Sequence, residues 1–141
     1  MLRVNLTGTF LCARAAARAM IEGGGGAIVT TASGRALAGA ANGAHYAATK
    51  GGIIALTKSL ALDWAAHGIR VNCVIPGLSD TAQPRAEMSD DQLYAAGARI
   101  PLGRIGQPED IAGVVAFLLG SDAAYMTGQS VAVNGGAIMI P

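Results

Sequence analysis

A tyrosine and a lysine four residues apart are the pair in this sequence best suited to proton chemistry. Tyr46 and Lys50 lie in the run Tyr-Ala-Ala-Thr-Lys, and residues four apart on a helix share one face. An ammonium group beside a phenol favours the phenolate, so the phenol can give or take a proton during a reaction. Ser33 follows a β-branched run and could bring a hydroxyl to the same place. These three residues predict an acid/base site.

The elements that must position these residues alternate between helix and strand. We predict helices over residues 2–21, 44–67 and 108–119, and strands over residues 27–31, 69–75 and 131–133. The strands are apolar and β-branched, which is typical of parallel strands covered on both faces. We expect a loop over 34–43 and a mixed polar segment over 78–99, weakly helical around 89–98. The alternation predicts an α/β fold, a partial Rossmann-like doubly wound parallel sheet of about three strands.

The composition limits the classes of function. The chain has 141 residues, which suits a single domain over 1–141. With 13% charged residues and a net charge of +1, it has no basic surface for nucleic acid or an anionic membrane. No run approaches the roughly 18 apolar residues of a membrane span. Cys12 and Cys73 are isolated and lack metal-ligand spacing. We therefore expect a cytoplasmic protein without a metal.

An ordered set of motifs runs through the whole chain. They are Val4-Asn5-Leu6, Ser33 at a strand end, Tyr46-x-x-x-Lys50, Ile69-Arg-Val-Asn72-x-x-x-Pro76-Gly77, Leu102-Gly-Arg104-x-Gly-x-Pro108-Glu-Asp110 and Thr127-Gly-Gln-x-Val-x-Val-Asn134-Gly-Gly136. On these motifs the sequence resembles the classical short-chain dehydrogenase/reductase family, in its C-terminal portion. The resemblance implies an oxidoreductase that interconverts a secondary alcohol and a ketone with NAD or NADP.

The resemblance also implies a role for each candidate catalytic residue. Tyr46 would be the acid/base that exchanges a proton with the substrate oxygen, and Lys50 would favour its ionisation and bind the nicotinamide ribose. Ser33 would hold and polarise the substrate oxygen, and Asn5 would hold a water near Lys50. Each has a simpler alternative: Ser33 could bond nearby backbone at a strand end, and Asn5 could be an ordinary helix residue.

The same resemblance implies where the cofactor would lie. Pro76 and Gly77 would end a strand beside the nicotinamide, while Ile75 and Leu78 would flank its ring. Thr81 would contact the carboxamide, although it could equally cap the segment that follows. The family's Gly-rich turn from the first strand to the first helix is absent, because Gly23–Gly26 follows a predicted helix and precedes a predicted strand.

Three functions follow as expectations, of which the third and weakest is a nucleotide-free α/β binding domain that uses segment 78–99 as a lid over a small ligand. The first is NAD(P)-dependent oxidation or reduction of a small-molecule alcohol or ketone, in a homo-oligomer such as a dimer or tetramer. The second is a catalytically inactive truncated remnant that acts only as an oligomerisation or interaction module. For the chain alone we expect weak or absent cofactor binding, and an exposed strand edge over 27–31 that invites pairing.

Overall fold

A sheet of three parallel strands forms the centre of the computed structural model, which describes residues 1–139. The strands are β1 (Gly26–Thr31), β2 (Ile69–Pro76) and β3 (Ser130–Val133), and β2 lies between the other two. Each crossover between strands contains at least one helix. The sheet and its helices confirm the predicted partial Rossmann-like α/β fold.

Within residues 1–139, six α-helices flank or connect the strands. In chain order they are α1 (Gly8–Glu22), α2 (Arg35–Ala38), α3 (Ala44–Trp64), α4 (Ala82–Glu87), α5 (Asp90–Gly97) and α6 (Pro108–Leu119). A π-helical turn, Arg3–Thr7, leads directly into α1, and short 3₁₀ turns follow α3 and α6 at Ala65–His67 and Ser121–Ala123. Pro108 lies in the first turn of α6, where its missing N–H costs nothing.

The helices α1 and α3 cover one face of the sheet. Side chains of α3 that recur at helical spacing, among them Ile53, Thr57 and Leu60, are buried against the strands. The Thr57 hydroxyl lies 2.7 Å from the Thr30 hydroxyl of β1, so the polar atoms of this layer are paired. This packing fixes the start of α3 relative to the end of β1.

The opposite face is covered by α6. Leu118 is fully buried and packs with Val74 of β2 and the partly buried Val29 of β1. Every residue of β2 from 71 to 75 is buried, as expected for a central strand covered on both faces. Burying one such aliphatic side chain contributes about 1.5–3 kcal/mol.

The structure corrects the predicted course of the chain in three places. The segment 34–43, predicted as a loop, contains the one-turn helix α2, whose start is held by a hydrogen bond from the Ala36 N–H to the Ser33 carbonyl. The helix predicted over 44–67 is α-helical only to Trp64 and then tightens to a 3₁₀ turn. The segment 78–99 holds two helices, α4 and α5, and α5 begins with a capping box between Ser89 and Gln92.

Two further findings concern the described chain as a whole. Across residues 1–139, none of the helices is long and apolar enough to cross a bilayer. Both cysteines in this part of the chain are free thiols, with Cys12 exposed and Cys73 buried in β2.

Candidate active site

The candidate catalytic residues lie where the parallel strands end. Ser33 follows β1 by two residues, and the next residue, Gly34, donates its N–H to the Pro76 carbonyl at the end of β2 (3.1 Å). This bond ties the carboxyl ends of the two strands together. In open parallel sheets this edge is where ligands bind, because loops and helix N-termini converge there.

Tyr46 and Lys50 lie in the first two turns of α3, and their side chains meet. The Lys50 Nζ is 5.7 Å from the centre of the Tyr46 ring, within the range of a cation–π contact. The same Nζ donates a hydrogen bond to the Thr31 carbonyl at the end of β1 (2.9 Å). The ammonium therefore joins the tyrosine's helix to the strand that leads to Ser33.

The Ser33 hydroxyl is half-buried and engaged locally. Its Oγ accepts a hydrogen bond from the Arg35 N–H at the start of α2 (3.3 Å). This is the turn-type contact that the simpler interpretation of Ser33 anticipates. The bond uses a lone pair of the oxygen, so the hydroxyl proton remains free to bond a substrate oxygen.

Asn5 reaches this group of residues from the other helix of the layer. It lies in the π-helical turn before α1, and π turns inside helices often occur at functional sites. Its carbonyl accepts a hydrogen bond from the Thr9 hydroxyl (2.6 Å), and its Nδ2 donates to the Thr49 Oγ1 of α3 (3.2 Å). Thr49 is fully buried and directly precedes Lys50. Asn5, Tyr46 and Lys50 are thus linked through α3.

Sequence reasoning missed Thr49. Its hydroxyl donates to the Tyr46 carbonyl (2.8 Å), as helix hydroxyls often do toward the preceding turn. The signal in the sequence was a hydroxyl on the buried face of a helix, beside the predicted acid/base pair. Threonines are common in helices, so the sequence alone does not single out Thr49. Its contact with Asn5, 44 residues away, is what connects it to the candidate site.

An open groove of about 610 Å³ runs between α1 and β1. Asn5 and Lys50 line it at the end nearest the catalytic candidates, and small residues of α1, including Gly8 and Ala16, line the rest. The groove lies along the edge of β1 that faces away from β2. A smaller cavity of about 180 Å³ lies near the end of β3 beside Arg104 and Asp110.

The predicted cofactor residues cluster at the end of β2. Gly77 donates its N–H to the Val133 carbonyl of β3 (3.0 Å), and a Cβ at Gly77 would lie 2.7 Å from the Asn134 Cβ. Only glycine fits this close approach. Leu78 accepts a hydrogen bond from the Gly106 N–H (2.9 Å). Thr81 is exposed and precedes α4, yet its side chain makes no capping hydrogen bond, so its hydroxyl is available to a ligand.

Three ion pairs brace the segments around this strand end. Arg85 of α4 bonds the Asp80 carboxylate (2.8 Å) and the Asp90 carboxylate of α5 (2.9 Å). The hydrogen bond from Arg85 lowers the pKa of Asp80 below its usual value. Arg104 bonds Asp110 at the start of α6 (2.6 Å).

Asp110, the carboxylate that pairs with Arg104, has a lowered pKa. The Arg104 hydrogen bond, followed by one from the Gln107 N–H (2.7 Å), lowers the Asp110 pKa to about 2. The carboxylate also lies in the first turn of α6, where a negative charge is favourable. It is therefore a structural cap for α6.

A parallel α/β sheet with a tyrosine and a lysine at the carboxyl ends of its strands defines a protein of the Rossmann-like class. The family model described as Enoyl-(Acyl carrier protein) reductase matches residues 1–137. The chain belongs to the short-chain dehydrogenase/reductase family, as its motifs predicted.

Individual relatives support this assignment. The chain is 41% identical over 140 residues to the 3-oxoacyl-[acyl-carrier-protein] reductase FabG of Vibrio cholerae, covering 99% of this chain and 57% of that protein. It is 43% identical to the (3R)-3-hydroxyacyl-CoA dehydrogenase of Mus musculus, covering 99% of this chain and 54% of the relative. The chain therefore spans about half the length of the curated relatives it matches.

A solved structure from Beutenbergia cavernae shows the same fold. It is described as an NAD(P)-dependent gluconate 5-dehydrogenase with NADP bound at low occupancy. It superposes with a TM-score of 0.90 at 42% identity, over 96% of this chain and 55% of that one. The likeness extends over nearly all of the present chain.

Proposed function

We propose that this chain carries the proton-transfer site of an NAD(P)-dependent oxidoreductase that interconverts a secondary alcohol and a ketone. The contact of Lys50 with both the Tyr46 ring and the end of β1 is the observation that supports it most. Named relatives act on 3-oxoacyl and 3-hydroxyacyl thioesters and on a sugar acid, which share a carbon that alternates between hydroxyl and carbonyl.

In the proposed reaction Tyr46 exchanges a proton with the substrate oxygen. The Ser33 hydroxyl donates a hydrogen bond to the same oxygen and stabilises the charge that develops on it. Lys50, whose ammonium lies 5.7 Å from the centre of the Tyr46 ring, would bind the nicotinamide ribose. Asn5 holds a water in the groove, through which Tyr46 takes up a proton from solvent after reduction or releases one after oxidation. A nicotinamide supplies or accepts the hydride when it is bound.

The residues at the end of β2 fit the nicotinamide part of such a cofactor. The strand β2 ends at Pro76, Gly77 follows where Asn134 leaves no room for a side chain, and the Thr81 hydroxyl has no capping partner. The half-buried Leu78 would flank the ring, whereas Ile75 is fully buried in the core and could contribute only through packing. The chain's own residues give no preference between NAD and NADP. We propose a homo-oligomer as the active form.

A titration and a variant together test the proposal. Titrating the chain with NADPH and NADH, with energy transfer from the single Trp64 as the signal, measures binding. Turnover is then followed with a 3-oxoacyl thioester. We expect Tyr46→Phe to lower kcat by about 10²–10⁴-fold, because it removes the acid/base group. Tyr125→Phe, at a fully exposed tyrosine, is the matched control. Undiminished turnover by Tyr46→Phe would exclude the proposed role.

A different observation favours the second candidate function, an interaction module. Gly26 donates its N–H to Gly68, just before β2, and Ala32 donates to Val74 of β2. The backbone groups that alternate with them, at Ala27, Val29 and Thr31, are therefore directed away from β2. Within residues 1–139 no strand lies on that side of β1. The Thr31 carbonyl already accepts a hydrogen bond from Lys50, so pairing at this edge would use the outward backbone groups of Ala27 and Val29.

A proline variant tests whether this edge pairs with another chain. Ala27→Pro removes an outward N–H and leaves the β1–β2 ladder intact, because proline is tolerated on the open side of an edge strand. If association uses this edge, sedimentation velocity will show the parent chain associating and Ala27→Pro remaining monomeric. The control is Glu22→Ala, at the exposed end of α1. A proline at Gly24, in the exposed turn before β1, would not serve as a control, because proline requires a negative φ and Gly24 has a φ of +87°.

A further inference from the structure

The buried hydroxyl of Thr49 already uses its only proton in a hydrogen bond to backbone. Its Oγ1 donates to the Tyr46 carbonyl at 2.8 Å, and a hydroxyl has only one proton. Toward Asn5, 3.2 Å away, the same oxygen can therefore act only as an acceptor. Thr49 is fully buried, so water does not offer it another partner.

Because the Thr49 oxygen can only accept from Asn5, it determines the orientation of the Asn5 carboxamide. Only the NH₂ group of an asparagine can donate a hydrogen bond, so Nδ2 must face Thr49 and Oδ1 must face away from it. Within the described residues Oδ1 accepts no hydrogen bond from the protein, and it is not among the buried atoms without a partner. Oδ1 is therefore open to solvent, and Asn5 lines the same groove as Lys50.

We propose that Thr49 is a positioning residue, which fixes the Asn5 amide so that an acceptor rather than a donor is presented to the groove. The inference rests on the proposed function, because the groove end shared with Lys50 is where the proton path would run. An accessible carbonyl oxygen can accept a hydrogen bond from a water in the groove that Asn5 shares with Lys50. A flipped amide would present N–H groups to this groove, where the Lys50 ammonium also has only donors.

The first test needs no catalysis. ¹⁵N NMR follows the Asn5 side-chain amide, identified as the signal that Asn5→Ala removes. Thr49→Val keeps the shape of the side chain but has no hydroxyl, and we expect it to raise the exchange rate of the Asn5 NH₂ protons about fivefold, the loss of one hydrogen bond. Thr49→Ser restores the hydroxyl and should restore the parent signal. An Asn5 signal that is the same in Thr49→Val and the parent would overturn the proposal, even if Thr49→Val melts at a lower temperature.

The second test asks whether the amide orientation matters for turnover. With a preparation that binds NADPH and reduces a 3-oxoacyl thioester, Thr49→Val should lower kcat and change its pH profile while KM stays within about twofold. Parent-like kcat and pH profile in Thr49→Val would refute a role in proton transfer. If the parent itself shows no turnover, the proposed function fails on that assay, and the NMR result still decides the role of Thr49.

Discussion

Asn72 should be one of the most sensitive positions outside the candidate site. It lies in β2 with 1% of its surface exposed, and its side chain binds the segment that leads into β3. Nδ2 donates to the Met126 carbonyl (2.8 Å), and Oδ1 accepts from the Gln129 N–H (3.0 Å). One carboxamide therefore satisfies two backbone groups of the turn that sets the position of β3.

The size of the effect follows from the groups that Asn72→Ala leaves without a partner. A buried backbone group without a hydrogen bond costs about 1–3 kcal/mol. Both bonds of Asn72 are only partly buried, so water can reach the freed groups to some extent. We expect the free energy of unfolding to fall by about 2–4 kcal/mol, a large share of the roughly 5–15 kcal/mol typical of a domain.

Urea denaturation followed by circular dichroism measures this change. Gln83→Ala is the control, because Gln83 is an exposed amide on α4 without a hydrogen bond among the described residues. Asn72→Asp adds a sharper comparison: its carboxylate can accept from the Gln129 N–H but cannot donate to the Met126 carbonyl. We expect Asn72→Asp to be less stable than the parent at pH 7 and to recover partly on acidification. A loss below about 0.5 kcal/mol in Asn72→Ala would refute the reasoning.

Three further changes test separate features. Gly68→Ala should destabilise by about 1–2 kcal/mol in thermal or urea unfolding, because Gly68 has a φ of +69°. Gly113→Ala, inside α6 with no atom within 4 Å of the added Cβ, should instead stabilise by about 0.5–1 kcal/mol. Asp110 has a folded-state pKa of about 2, below its usual value of 3.8, so its contribution is complete above about pH 4 and is lost as the pH falls toward 2. Asp110→Asn should flatten that part of the melting temperature's pH dependence, and an unchanged acid limb would count against the Arg104 pair.

Those parts of the fold that depend on local pattern could be predicted from the sequence. The strands β1 and β2 are short apolar runs, and the structure places them within one residue of the predicted bounds. Tyr46 and Lys50 meet because a helix brings residues four apart to one face. The parallel arrangement followed from the alternation of helices and strands.

The features that were missed depend on contacts between distant residues or on weak local preferences. The contact of Asn5 with Thr49 joins residues from two helices. The π-helical turn around Asn5 is not distinguished from an α-helix by hydrophobic periodicity or capping residues. Gly77 is required by its approach to Asn134, which only the register of β2 and β3 reveals. The helix α2 is a single turn of four residues, and the Gly- and Ala-rich sequence around it favoured a loop.

The residues proposed for proton transfer and the open edge of β1 depend on different contacts of this chain. Asn5 and Lys50 are held by contacts among α1, α3 and β1, all of which are present within residues 1–139. The groove beside them is bounded by the outward edge of β1, which has no partner strand in the same range. Tyr46→Phe should therefore abolish chemistry without changing association, whereas Ala27→Pro should change association at that edge and leave the contact of Tyr46 with Lys50 intact. If Ala27→Pro also alters NADPH binding, the strand edge and the cofactor site are coupled, and Lys50, which bonds the Thr31 carbonyl, is the residue that connects them.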